Sequence, residues 1–217
     1  MDERRMSMKK QNISDAVIRR LPRYYRYLNE LQKKDVVRVS SNLLSSKMGF
    51  TASQIRQDFS CFGEFGQQGY GYNVEDLKKE ISQILGMDRG HHLVLVGAGN
   101  LGHALLNNFR FNACGFQVDC AFDLDPALVG TDVNGTHIYH SDEMADVFAE
   151  KGIPDVAVLC VPQRAAQKLV DQLSSLGVKG FWNITNIELT SAVPGVEFED
   201  IHLSDSLLTL SYRISHR

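Results

Sequence analysis

Residues 91–106 read His91-His92-Leu93-Val94-Leu95-Val96-Gly97-Ala98-Gly99-Asn100-Leu101-Gly102-His103-Ala104-Leu105-Leu106, and with the Asp123 that comes after a second apolar run they decide the fold of this chain. A Val/Leu run that ends on G-x-G-x-x-G and passes directly into a helix start is the strand, turn and helix of a dinucleotide-binding α/β unit. Glycines at those positions let backbone N–H groups approach a pyrophosphate, and the helix N-terminus offers the anion further donors. Asp123 stands 21 residues after Gly102 at the end of the next expected strand, where a carboxylate can accept from an adenosine ribose. The candidate cofactor residues are Gly97, Ala98, Gly99, Asn100, Leu101, Gly102 and Asp123, joined by Val161, Pro162 and Asn183 at the ends of later strands. Asp123 and Asp125 would repel a ribose 2′-phosphate, so NAD(H) is expected over NADP(H). The competing reading is a nucleotide-like fold that binds coenzyme A or nothing.

Downstream, strand and helix patterns alternate: strand 93–97, helix 100–110, strand 117–122, a turn region with Gly130 and Gly135, a helix near 142–151, strand 155–161, helix 163–175 and strand 178–183. Unbroken Val/Leu/Ala runs mark strands buried on both faces, which predicts a Rossmann-type, doubly wound parallel sheet. A final strand, 196–203, leads into a terminal helix capped by Ser204 or Asp205. Leu207, Leu208, Leu210, Tyr212 and Ile214 give that helix more apolar surface than a free tail needs, so a second subunit is expected to cover it.

The dinucleotide unit begins only near residue 93, so the segment before it requires a domain of its own. The expected division is 1–86, 87–203 and a dimerisation helix over 204–217. Charge divides the same way. Residues 1–60 hold 13 Lys/Arg against 6 Asp/Glu, a net of +7, and the other 157 carry −10, although the whole chain is only −3. Such a split suggests that one end meets a polyanion, with a merely solvated basic surface as the alternative.

The basic segment reads as helices. Ser14 and Asp15 mark a start; Pro22 either kinks a long helix or begins a second. Ser40 or Ser41 caps a short helix that Gly49 ends, and Thr51 or Ser53 caps the next, over 54–62. Ile55, Phe59 and Phe62 recur at helical spacing and face a core, while Ser53, Gln54, Arg56, Gln57 and Ser60 face outward. Residues 63–72 alternate glycines with aromatics and suit a tight β-ribbon, after which Asn73 caps a helix over 74–85. This order is that of a winged helix-turn-helix, whose outward face carries the side-chain types that read double-stranded DNA. A protein-interaction module of the same fold is the alternative.

Other classes find little support. Four cysteines, Cys61, Cys114, Cys120 and Cys160, show no pairing or metal-binding spacing and read as reduced thiols. No apolar stretch reaches the roughly 18 residues of a membrane span, and the charged start lacks a leader's apolar region, so a cytoplasmic protein without membrane contact is expected. An NAD-linked oxidoreductase would need a proton donor beside the nicotinamide, and no catalytic residue is evident. Of the histidines, His91 and His92 are expected in a connecting loop and His137 and His140 in a hairpin, and none has the spacing of a metal site.

Several of these stretches together resemble the Rex family of redox-sensing transcriptional repressors. They are Arg20-Leu21-Pro22-Arg23-Tyr24-Tyr25-Arg26, Arg38-Val39-Ser40-Ser41, Gln54 to Ser60 with Phe62-Gly63, Gly69-Tyr70-Gly71-Tyr72-Asn73-Val74, Gly97 to Gly102, Ala121-Phe122-Asp123, Val161-Pro162 with Ala165-Ala166-Gln167, and Gly177-Val178-Lys179-Gly180. The resemblance implies a homodimer that binds a palindromic operator when NADH is scarce and releases it when NADH binds. It places Arg56, with Ser53, Gln54 and Gln57, in the major groove and the ribbon at Gln67, Gln68 and Tyr70 in an adjacent one. It also implies a terminal helix exchanged between subunits, with Asp205 pairing with Arg20 in one state. Gln57, Gln67 and Gln68 stand where members of the family often carry cations, which implies a shallower salt dependence. Ser206 stands where some carry a bulky apolar residue, which implies looser closure over the nicotinamide.

Overall fold

The structure is a computed structural model describing residues 13–62 and 70–216. The chain divides into two units, Met1–Asp88 and Arg89–Arg217.

In the first unit, α1 (Asp15–Ile18) is followed at once by α2 (Leu21–Gln32), with Pro22 in the first turn of α2. Proline there loses no helical hydrogen bond, so it begins a helix instead of kinking one. Leu21, Tyr24, Leu28 and Leu31 form the buried stripe of α2. A two-residue strand β1 (Arg38–Val39) leads to α3 (Ser41–Met48), whose first turn is capped by Ser40 Oγ accepting from Leu43 N. Gly49 ends α3, and α4 (Ala52–Ser60) begins two residues after Phe50, with Thr51 Oγ1 accepting from Gln54 N. The helix-turn-helix expected from the sequence is therefore present. Residues 63–69, which hold most of the expected ribbon with its Gln67 and Gln68, lie outside the described residues. The next strand, β2 (Tyr72–Asn73), pairs antiparallel with β1. Asn73 Oδ1 then caps α5 (Val74–Ile84), accepting from Glu75 N and Asp76 N. Val74, Leu77 and Ile81 of α5 join Ile55, Phe59 and Phe62 in one core with the α2 stripe.

In the second unit, seven strands form one sheet: β3 (His91–Val96), β4 (Phe116–Asp123), β5 (Asp132–Val133), β6 (Thr136–His140), β7 (Val156–Leu159), β8 (Gly180–Asn183) and β9 (Glu197–Asp200). Their spatial order is β5-β6-β4-β3-β7-β8-β9, parallel throughout except where β5 and β6 make an antiparallel hairpin. The helices are α6 (Asn100–Asn108), α7 (Met144–Lys151), α8 (Gln163–Ser175) and α9 (Leu203–Ser215). Two apolar clusters divide the inner strands between them. Val94, Val96, Phe122, Ala157 and Leu159 pack with Phe148 and Val170, whereas Leu93, Leu95, Ala121 and Val158 pack with Leu106 and Phe111. Alternate residues of one strand enter opposite clusters, as a sheet covered on both faces requires.

Three expectations are corrected. His91 and His92 are the first residues of β3, not a connecting loop: they pair in parallel with Phe116 and Gln117 of β4, and in addition His92 N donates to Asp155 Oδ2 at 3.0 Å and its ring Nδ1 meets Asp119 Oδ1 at 2.8 Å. The final strand stops at Asp200 and α9 starts at Leu203, so neither Ser204 nor Asp205 is its cap. His202 takes that position, and Asp205 falls inside the first turn, where its charge suits the helix dipole. Third, the last parallel strand before it begins at Gly180, since Val178 N still bonds back to Leu173 O at the end of α8.

The hydrogen bond to Asp119 raises the His92 pKa above its ordinary 6.5. A raised histidine stabilises the fold most below 6.5, and that contribution is lost as pH climbs through the folded-state value. The urea midpoint of the protein should accordingly exceed that of a His92→Gln variant by the widest margin near pH ~6 and by little near pH ~8.5. A margin independent of pH would count against the pair.

Candidate functional site

The order of the strands places the first candidate site. From β3 the chain moves outward to β4 and β6, then crosses back to β7 on the other side, so β3 and β7 flank a topological switch point. Ligands of open α/β sheets bind in the crevice beyond the strand C-termini at such a point. Two helices start there, α6 directly after β3 and α8 directly after β7. Neither has a side-chain cap, since Gly99 and Pro162 occupy the capping positions. The first N–H groups of each helix lack intrahelical partners and are available to an anion.

Glycine shapes the turn. Gly97 has φ +94°, and a Cβ there would stand 2.5 Å from the Cys160 carbonyl oxygen. A Cβ on Gly102 would overlap the Gly97 carbonyl oxygen, so only glycine lets α6 lie this close to β3. Gly99 differs: a Cβ there would meet nothing within 4 Å, and the turn is open on the side where a pyrophosphate would lie. Asp123 closes β4 beside it. Its Oδ2 accepts from Ala98 N at 2.6 Å, and its Oδ1 accepts from Leu124 N at 2.7 Å and Asp125 N at 2.9 Å. These bonds fix the carboxylate against the glycine turn and leave lone-pair capacity for ribose hydroxyls. The open turn, the uncapped helix start and the fixed carboxylate fit the phosphate and ribose of a dinucleotide.

The remaining sequence candidates fall around this crevice with one exception. Asn100, Leu101 and Gly102 form the first turn of α6, with Leu101 exposed, and Val161 and Pro162 join β7 to α8. Asn183 does not belong with them. Its Nδ2 donates to Ile187 O at 2.7 Å and Asp200 Oδ1 at 2.6 Å, and its Oδ1 accepts from Thr185 N and Thr185 Oγ1. Buried and with its hydrogen-bonding groups committed, it locks the loop after β8 and has nothing to offer a ligand. Behind the turn, burial pushes the Cys160 thiol up to about 12, and that of Cys120 in β4 likewise, so neither supplies a thiolate nucleophile.

The second candidate site is the outer face of α4. Ser53, Arg56, Gln57 and Ser60 are exposed there. Arg56 Nη1 donates to Ser41 Oγ at 3.1 Å, which steadies the guanidinium across the start of α3. Ser60 Oγ donates to Gln57 O, and Tyr70 is exposed with its carbonyl 3.4 Å from Arg38 Nη1. Gln54 departs from the expected outward orientation, because its Nε2 donates to Asp58 Oδ1 at 2.9 Å.

Asp58 itself was not foreseen as a site residue. It is fully buried, and its carboxylate also accepts from Arg20 Nε at 2.7 Å, Arg20 Nη2 at 2.8 Å and Tyr24 Oη at 2.7 Å. Burial alone would push this carboxyl up, but the bonds from Arg20, Tyr24 and Gln54 outweigh it and hold it below the ordinary range. The signal was an acidic residue on the same stripe as Ile55, Phe59 and Phe62, where a charge survives only if paired. Arg20, one half of the expected switch pair, spends one edge of its guanidinium on this carboxylate; Asp205 is exposed on α9. Among the described residues no His, Cys, Asp and Glu gather as a metal site, and no helix is long and apolar enough to cross a membrane.

Comparison with known proteins matches both units and the chain as a whole. Residues 12–60 match a family profile described as "Putative DNA-binding protein N-terminus", and residues 88–187 match one described as "CoA binding domain". The redox-sensing transcriptional repressor Rex of Clostridium tetani is 50% identical over 210 residues, which cover 96% of this chain and 98% of that protein. The chain belongs to the Rex family. A second Rex repressor, from Clostridium beijerinckii, is 51% identical over 95% of the chain and 97% of its own length. Among solved structures, RSP, a Rex-family repressor, in complex with β-NAD+ and operator DNA superposes with a TM-score of 0.85 at 48% identity, covering 93% of this chain and 92% of that one. RSP in complex with β-NADH superposes equally well at 44% identity, covering 93% and 94%. As a Rex-family member the chain is a transcriptional regulator, and the helix-turn-helix and Rossmann-type sheet are the parts such a regulator requires.

Proposed function

We propose that this protein is a homodimeric, cytoplasmic repressor that grips a palindromic operator through α4 and lets go when NADH occupies the turn between β3 and α6. One observation carries the reading: a single chain holds both an exposed Arg56/Gln57 helix face and a glycine turn pinned to a carboxylate suited to ribose. Support comes from RSP, which has been solved with β-NAD+ and operator DNA and with β-NADH. In this reading Gly97 to Gly102 and the start of α8 hold the pyrophosphate, Asp123 orients the adenosine ribose, and Val161 and Pro162 border the path toward the nicotinamide. Coenzyme A is disfavoured by its ribose 3′-phosphate, which would face the carboxylates of Asp123 and Asp125.

The dimer is expected to form through α9, on which Leu203, Leu207, Leu208, Leu210, Tyr212 and Ile214 are all exposed. Six such side chains on a 13-residue helix make an apolar surface that a second copy would cover. Arg20 can still serve the switch. Its Nε and Nη2 hold Asp58, whereas its Nη1 edge has no partner among the described residues on a side chain 21% exposed, so a carboxylate such as Asp205 of a partner could be added without stranding Asp58. NAD+ and NADH differ by one positive charge on the nicotinamide. A charge ~5 Å from a carboxylate is worth about 3 kcal/mol at an effective dielectric of ~20. Flipping a two-state dimer needs about 5.5 kcal/mol of differential binding, which two symmetric sites would reach together.

The test is to incubate the protein with a random duplex library at moderate salt, with and without NADH, and to sequence what is retained. A palindrome enriched only without NADH is expected, and no enrichment in either arm would refute the proposal. Arg56→Ala should lose about 1 to 3 kcal/mol of operator affinity with NADH binding intact. Asp123→Ala should weaken NADH and leave operator binding that NADH no longer reverses, as read by fluorescence titration and gel shift.

A further inference from the structure

We propose that Asp58 is a positioning residue for operator readout, which holds the Gln54 carboxamide in one of its two orientations and so fixes which way round a base pair is read. The inference rests on the DNA-reading role proposed for α4. Gln54 and Asp58 lie one turn apart on that helix, with Nε2 donating to Oδ1 at 2.9 Å. An amide is nearly symmetric in shape, and only its partners decide which end is oxygen. Here the partner is an ionised carboxylate, which accepts and never donates. Reversing the amide would set Gln54 Oε1 against Asp58 Oδ1, two acceptors inside hydrogen-bond distance, in a setting too dry to screen them.

Nor can the carboxylate turn away from the amide. Arg20 grips both of its oxygens as a fork, Tyr24 Oη bonds Oδ2, and the side chain is fully buried. Tyr24 is itself held edge-on by Phe50 and Phe59 at ring separations of 5.8 and 5.0 Å, so the donor set is fixed from α2 and from the core. Gln54, half-exposed, is the member of this group on the reading helix that reaches solvent as a neutral amide.

The chemical consequence is an ordered acceptor and donor. In the major groove every base pair shows an amino donor on one base and a keto acceptor on the other, so a pair and its inversion differ in which strand carries which. A carboxamide free to flip accommodates both. One locked by Asp58 presents Oε1 on a fixed side and accepts from the adenine N6 or cytosine N4 amino group of one strand only. Gln54 is thereby made to discriminate a base pair from its own inversion.

The experiment repeats the duplex selection with the full-length protein and with Gln54→Ala, Asp58→Asn and Tyr24→Phe, each also followed by thermal melting and NADH titration. The position at which Gln54→Ala erases preference is the one Gln54 governs. There, the wild type should favour one pair over its inversion by about tenfold, as one good amide contact allows. Asp58→Asn, whose own amide can face either end of Gln54, should bring that ratio to within about twofold while other positions keep their preference. Tyr24→Phe leaves Arg20 and Gln54 on the carboxylate and should lower the melting temperature with the ratio unchanged. Gln54→Ala without effect at any position would overturn the proposal, as would an Asp58→Asn ratio equal to wild type. A Tyr24→Phe ratio that collapses along with melting would also overturn it, since Asp58 would then act only on stability. If Asp58→Asn does not fold, the wild-type ratio at the Gln54 position decides, and a ratio near one overturns the proposal. No palindrome from the wild type would sink the operator reading itself, a different failure from an enriched palindrome that Gln54→Ala leaves intact.

Discussion

The second unit depends on one close approach: a helix laid against the strand before it with no side chain between them. Gly102 on α6 sits where any Cβ would overlap the Gly97 carbonyl oxygen, and Gly97 adopts a left-handed backbone against the carbonyl of Cys160. Neighbouring features derive from that contact. Because α6 cannot stand off, its first N–H groups open at the strand ends instead of over the flank of the sheet. Because the turn is short, Ala98 N comes within reach of Asp123, and the carboxylate is set before any ligand arrives. Preorganisation of this kind lowers the ordering a ligand would otherwise impose.

In the first unit the corresponding constraint is ionic. A buried carboxylate that lost its arginine would leave an uncompensated charge, at a penalty of about 3 to 5 kcal/mol, so once Asp58 is buried Arg20 is required, and the pair fixes how the start of α2 meets α4. Around them the aromatic rings of Tyr24, Phe50, Phe59 and Tyr72 pack edge to face, closing the core behind the reading helix. The exposed face of α4 is thus carried on a rigid mount, which a helix that must meet a groove in fixed register requires.

Much of this was legible in the sequence, and the reasons differ by element. The two central strands, β3 and β7, announced themselves because each holds a short, unbroken Val/Leu/Ala run, and the glycine turn because its spacing has a steric cause. Helix starts at Ser40, Thr51 and Asn73 were readable because capping is local chemistry, decided within three residues. Partnerships between distant residues were less readable. Asn183 looked like a ligand contact at a strand end, yet Asp200, 17 residues on, claims its amide. His91 and His92 looked like loop residues, yet they pair with Phe116 and Gln117 of β4, and Asp119 and Asp155 bond to His92 beside them. Gln54 looked free on the outward face by periodicity alone, and only the buried Asp58 shows that its amide is tied at one end. A periodic pattern tells which face a residue occupies, but not which polar neighbour will hold its side chain there.

The terminal helix has a genetic consequence. α9 buries none of its own residues, so in the proposed dimer every subunit would need a partner to cover Leu207, Leu208, Leu210 and Ile214. A subunit whose α4 can no longer read DNA would still offer this helix and would still be accepted as a partner. Co-produced in equal amounts with intact chains, it would enter roughly three-quarters of all dimers by random pairing. Defects in the reading helix would therefore be dominant, whereas defects in α9, which exclude the damaged chain from assembly, would be recessive.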